Sequence, residues 1–212
     1  MNSHPSRRPT ASAEPGLSPG PFSAAFPPVQ RLDRRLTIHW KNMRIGSYHV
    51  SIRPADGGDA TLVLVEIKMK VAIGPITMFR FRHRGEEEWR SGDLWRLETH
   101  TEEHGEAYEV HGRQTPEGTE INGSLGPCLA PPGLLSSTGL WCRAITRQAR
   151  IIDAQNGAVV GFTATATGSA EAGHFQFEGA SWRGEIWYDD EGLWSRAILH
   201  REGHTLTLQL DA

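Results

Sequence analysis

No stretch of this chain stays apolar for anything near the roughly 20 residues that span a bilayer as a helix. It also has no nucleotide-binding loop, zinc signature, nucleophile elbow or nucleic-acid motif. Cysteine is scarce, with only Cys128 and Cys142. That excludes a disulfide scaffold. A single bridge between them would close a loop of about 15 residues, worth roughly 3 kcal/mol; two ordinary thiols are the simpler reading. An excess of charge is lacking too: 22 Lys and Arg stand against 25 Asp and Glu, a formal net charge of −3. Nothing in that balance draws nucleic acid or an anionic membrane by a long-range field. Arg7 and Arg8 are not followed by the apolar stretch of about 7–15 residues that makes a secretory leader. As written, the chain is expected to be cytoplasmic, and periplasmic if its true start lies upstream.

What the chain does have is rhythm. Residues 1–30 hold seven of the thirteen prolines, and such a segment buries too little apolar surface to offset its ordering entropy. It reads as a disordered tail, leaving one domain over residues 31–212. From about Leu36 onward, apolar and polar residues alternate between short Gly-containing turns. Leu36, Ile38 and Trp40 share a face. Val63, Val65, Ile67, Met69, Val71 and Ile73 alternate over eleven residues, the period of a half-buried strand. Hairpin turns are predicted at Asp56-Gly57-Gly58-Asp59, Ser91-Gly92, His104-Gly105, Pro116-Glu117-Gly118, Asn156-Gly157 and Glu202-Gly203. Residues 125–139 lack alternation. Residues 140–149 are the one predicted helix, capped by Ser137 or Thr138, with Trp141 and Ile145 as an i,i+4 apolar pair. About ten to twelve strands with one short helix predict a mainly β fold. A large curved antiparallel sheet would form a closed or half-open barrel, its concave side plugged by the Pro-rich loop and helix. A two-sheet sandwich is the alternative.

Four local patterns carry a family resemblance: Ile45-Gly46 after a Trp-ended strand, Glu88-Trp89 followed by Gly92 and Leu94, the isolated Trp141, and Trp187-Tyr188-Asp189 followed by Gly192 and Trp194. Together they resemble an uncharacterised proteobacterial all-β family of unknown function, mostly exported. Its layout is similar to that of lipoprotein-carrier-like incomplete barrels wrapped around a helix. The resemblance covers residues 36–212, and its motifs are structural rather than catalytic. By analogy of shape it implies a lipidic or hydrophobic ligand.

Three groups of residues point to chemistry. If His104-Gly105 is a tight turn, Glu98 faces His111 and His100 faces Glu109, all on one face of a hairpin. Such a quartet suits a divalent metal, a His tuned for proton transfer, or simply a solvated face with cross-strand ion pairs. The last is the simplest reading, and no metal site is assigned. Next, His83 shares parity with Phe79 and Phe81 and so continues an apolar stripe. It is either a hydrogen-bonded structural residue or a general acid or base in a dry pocket, with Glu88 expected to point inward beside Trp89. Arg80, Arg82 and Arg84 lie on the opposite face, expected to pair with Glu66, Lys68 and Lys70 across the strands or, less simply, to grip a ligand carboxylate. The third group is the seven tryptophans, each either core or pocket wall. His200 and His204 read as a surface pair, and Cys142 as a buried thiol.

His83, Glu88, His100 and His111 are therefore the candidate catalytic residues. Trp40, Tyr48, Met69, Phe79, Phe81, Trp89, Trp141 and Trp187 are the candidate ligand contacts. The leading reading is a protein that binds a hydrophobic or aromatic small molecule, without a cofactor and without nucleic acid or a membrane span. A cofactor-independent cyclase, isomerase or lyase would use the same pocket. An assembly factor would instead show a contiguous exposed apolar patch. Self-association into a homodimer is compatible with each.

Overall fold

The computed structural model describes residues 31–55, 60–168, 173–179 and 182–211. The Pro-rich tail and the Asp56-Gly57-Gly58-Asp59 turn lie outside these residues. Fourteen strands among the described residues form one antiparallel sheet. They are β1 (Leu32–Trp40), β2 (Met43–Pro54), β3 (Thr61–Ile73), β4 (Ile76–Arg90), β5 (Asp93–Glu103), β6 (Glu106–Thr115), β7 (Gly118–Gly123) and β8 (Gly126–Ala130), then β9 (Arg150–Ile152), β10 (Val159–Ala166), β11 (His174–Gly179), β12 (Trp182–Tyr188), β13 (Trp194–Arg201) and β14 (His204–Leu210). Every strand pairs with its neighbours in sequence except that β8 does not pair with β9, and β1 also pairs with β14, joining the two halves of the chain mid-sheet. The free edges are therefore β8 and β9. The sheet curls until it is nearly closed, with one seam. No described helix is long and apolar enough to cross a membrane.

Alternation sets the two faces. Along β3 and β4, Val63, Val65, Met69, Phe81, His83, Glu87 and Trp89 are buried, while Lys68, Lys70, Arg80, Arg82 and Arg84 are exposed. Lys41-Asn42, Ser91-Gly92, His104-Gly105 and Glu202-Gly203 each take positive φ at both positions. That is the mirror-image turn whose twist matches a two-residue hairpin.

The sequence reading and the structure differ at residues 125–149. Gly126–Ala130 is a strand rather than part of a loop. It is an edge strand, where the missing N–H of Pro127 costs no ladder bond. The predicted helix is instead two 3-10 turns, Ser137–Trp141 and Arg143–Arg147, separated by an extended Cys142 (φ −117°, ψ 129°) that bridges to Leu193. Neither Ser137 nor Thr138 caps a helix, because tertiary partners claim both hydroxyls. Ser137 Oγ accepts the Ala154 N–H at 3.0 Å, and Thr138 donates to Glu87 at 2.5 Å.

This segment is nonetheless the plug of the concave side. Leu135, Trp141 and Ile145 are fully buried in the core. Tyr48 and Tyr188 hold the plug from opposite walls, donating to the carbonyls of Thr138 and Leu140, each at 3.0 Å. The plug also extends the sheet, since Ser136 forms a parallel bridge to Ile152 of β9.

Candidate ligand-binding site

Between sheet and plug lies an inner chamber of about 130 Å³. Ile38, Tyr48, Ile67, Met69, Phe81 and His83 line it from β1–β4, and Phe162, Phe177, Trp182, Trp194, Leu199, Leu206 and Leu208 from β10–β14. Ser137, Thr138 and Leu140 of the plug and the turn Asp153–Gln155 complete it. A wider mouth of about 460 Å³ adjoins it, lined by Trp40, Ile45, Val71, Met78 and Phe79 and by a polar rim of Glu103, His104, Arg201, Glu202 and His204. Met69, Phe81, Trp182 and Leu206 belong to both. The rim is pre-arranged: Glu103 accepts from Gln155 at 2.8 Å and meets Arg201 at 3.5 Å.

His83 is a buried polar residue of the inner wall. It is 6% exposed, and its Nδ1 shares a 2.7 Å hydrogen bond with Thr101 Oγ1. Its Nε2 is buried and has no hydrogen-bond partner among the described residues. Burial pulls its pKa from 6.5 down to about 4, and the nearby His100 pushes in the same direction. The imidazole is therefore neutral at pH 7. Gly85 makes room for it, since a Cβ there would lie 3.2 Å from Nε2.

Behind the chamber sits a buried carboxyl that the sequence reading did not single out. Glu87, 2% exposed, accepts from Trp89 Nε1 at 3.0 Å and from the hydroxyls of Ser136 and Thr138. It ties β4 to the plug and thereby positions two chamber-lining neighbours, Ser137 and Thr138. Burial, and next the Glu87 charge, push the Tyr48 hydroxyl well above its ordinary pKa. Burial likewise raises the Cys142 thiol to about 11, so it is no nucleophile at neutral pH. Cys128 and Cys142 are both free thiols.

The candidate residues divide. Trp40, Tyr48, Met69, Phe79, Phe81 and His83 come together around the chamber and mouth. Trp89 and Trp141 are buried in the core and line neither cavity. Two further expectations are corrected. Glu88 points outward to Arg90 and Arg96; strand parity puts Glu87, not Glu88, on the face of Trp89. Trp187 lies outside, stacked on His174 at 4.2 Å with Arg196 over its ring; its neighbours Ile186 and Tyr188 are the buried ones. His100 and His111 do pair with Glu109 and Glu98 in the predicted register. That face is the solvated one, however, and no grouping of three or more metal-ligating side chains occurs among the described residues. The basic ladder stands across from the expected residues, Arg84 opposite Glu66, Arg82 opposite Lys68 and Arg80 opposite Lys70, but only the first is a pair of opposite charges. Sequence reasoning missed Trp182 and Trp194 as chamber walls, because parity alone does not say where a curled sheet leaves space.

The Trp187-Tyr188-Asp189 motif has a structural role. Asp189 takes Arg34 at 2.6 Å and the backbone N–H groups of Glu191 and Leu193, while Trp194 packs edge-on against Tyr48.

None of the curated proteins matches the chain. Among solved structures it is similar to a beta-barrel-like protein of the domain of unknown function DUF1849 from Brucella abortus, with a TM-score of 0.53. The two share 12% sequence identity, and the match covers 85% of this chain and 94% of that one. At that identity the likeness concerns the fold alone. Residues 37–211, from β1 through the end of β14, match the family model of DUF6134, a domain of unknown function. The chain therefore belongs to the DUF6134 family.

Proposed function

We propose that the protein binds a mostly apolar small molecule, ring-sized at the end that enters the chamber and bearing one hydroxyl or carbonyl group. The observation that carries this reading is His83, a wall residue of an otherwise largely apolar cavity whose buried Nε2 has no hydrogen-bond partner among the described residues. An unmade buried hydrogen bond costs about 1–3 kcal/mol, and a ligand group that supplies it recovers that cost. Size agrees. A dry cavity of roughly 150 Å³ accepts benzene, close to the inner chamber, and the mouth holds the remainder.

Acid–base turnover by a cyclase, isomerase or lyase is less well supported. An imidazole with a pKa near 4 is a weak base at neutral pH, far from the matched value that proton transfer favours. The test compares phenol with benzene by calorimetry. Wild type should prefer phenol about fivefold or more, from one hydrogen bond, and His83→Phe should abolish that preference. Binding of neither compound, or an unchanged preference in the variant, refutes the reading.

A further inference from the structure

β3 and β4 are the longest strands in the sheet, with 13 and 15 residues. Their far ends outrun the neighbouring strands: β2 pairing stops at Met69 and β5 pairing at Phe81, while β3 and β4 continue to pair as far as Ile73 and Ile76. The projecting hairpin turns at Gly74-Pro75. Its tip is apolar and exposed, with Ile73 at 69%, Ile76 at 62% and Met78 at 56%. One layer back, on the outer face, Lys70 stands directly opposite Arg80 and Lys68 opposite Arg82. Lys68 and Arg82 have acidic neighbours, Glu66 at 3.5 Å and Glu102 at 3.8 Å. Lys70 and Arg80 form no ion pair among the described residues.

Each feature is unfavourable in water. Like charges directly across a ladder destabilise it, and projecting aliphatic side chains gain nothing from solvent. One environment satisfies both at once. We propose that the β3–β4 hairpin docks on an anionic bilayer, with Ile73, Ile76 and Met78 entering the boundary between headgroups and acyl chains and Lys70 and Arg80 meeting the lipid phosphates.

The order of the layers fits. Ile73 and Lys70 are three residues apart, about 10 Å along a strand, and interfacial elements bury their apolar side about 5–10 Å deep. An acidic protein surface would match the cations but offers no apolar layer at the required depth. The overall charge of −3 does not oppose this, because lipid attraction acts within about 8–10 Å of the surface. Val71, Met78 and Phe79 of the same hairpin line the mouth, so docking would turn the mouth toward the bilayer. That consequence rests on the ligand reading; the docking does not.

The experiment is flotation of the full chain with vesicles of phosphatidylcholine alone or mixed equally with phosphatidylglycerol. The protein should float with mixed vesicles only, and added salt should release it. The double variant Lys70→Gln/Arg80→Gln should bind roughly 30-fold more weakly, and Ile73→Ser/Ile76→Ser about tenfold or more. All four side chains are exposed and none lines the chamber or the mouth, so phenol binding should be unchanged and melting should not fall, which separates failure here from failure of the ligand reading. No association with mixed vesicles overturns the proposal, as does wild-type association in both double variants. A concentration-dependent dimer that Ile73→Ser/Ile76→Ser dissolves, without vesicle binding, assigns the tip to a second copy and also overturns it.

Discussion

Acid should destabilise this protein through His83, by an amount the structure allows to be worked out. In the unfolded chain the imidazole titrates at its ordinary 6.5, and in the folded protein at about 4. Above 6.5 both states are neutral there and His83 contributes no pH dependence. As pH falls from 6.5 to about 4, the unfolded chain takes up a proton that the folded protein refuses, so stability falls. The slope is about 1.4 kcal/mol per pH unit, giving a total of about 3 kcal/mol. Below about 4 both states are protonated and the loss is complete. The substitution His83→Phe keeps the ring and removes the titration. At pH 7 its two effects oppose each other. Thr101 Oγ1 loses the 2.7 Å partner, costing about 1–3 kcal/mol, while removal of the orphaned Nε2 returns a similar amount. The variant should therefore match wild type to within about 1 kcal/mol at neutral pH and exceed it progressively in acid. Urea unfolding of both proteins across this range, taken as a difference, cancels the other titrating groups. A difference that stays flat from pH 7 to 4 would refute the buried, neutral imidazole.

Other perturbations test other parts of the molecule. Glu87→Gln keeps the shape but turns an amide toward the donors of Trp89, Ser136 and Thr138. It should cost about 2–3 kcal/mol and accelerate amide exchange in the plug, and unaltered exchange there would exclude the tie. Gly46→Ala places a Cβ on the carbonyl oxygen of Lys68 in the adjacent strand. Backbone must move, so melting should drop steeply, whereas wild-type stability would mean that the strand approach is looser than described. Trp182→Ala should alter ligand binding and Trp187→Ala should not, since only Trp182 reaches the cavities; calorimetry with phenol decides. His100→Ala and His111→Ala remove exposed side chains and should shift stability by no more than about 0.5 kcal/mol each, as read by thermal melting.

Much of the fold was legible because strand alternation is a local property. The stripe through Phe79, Phe81 and His83, the His100–Glu109 register and the two-residue turns all follow from a period of two and from residues that tolerate positive φ. The same parity points Glu87 inward, whereas only adjacency to Trp89 favours Glu88. Residues 137–147 were illegible for a different reason. Their helical spacing is real in Trp141 and Ile145, but Glu87, Ala154 and Leu193 compete for the hydroxyls and backbone groups that a helix would need.

The sequence by itself determined the all-β class, the strand faces and a cavity-facing stripe, because each depends on neighbours within a few residues. The tertiary structure alone decided that the sheet's free edges fall in mid-chain, that Trp182 and Trp194 face Met69 and Phe81 across a chamber, and that Trp187 looks outward. It also decided that the hairpin of Ile73 and Ile76 projects beyond its neighbours. These outcomes depend on how fourteen strands curl and where each one stops, and such long-range geometry leaves no local periodicity in the chain.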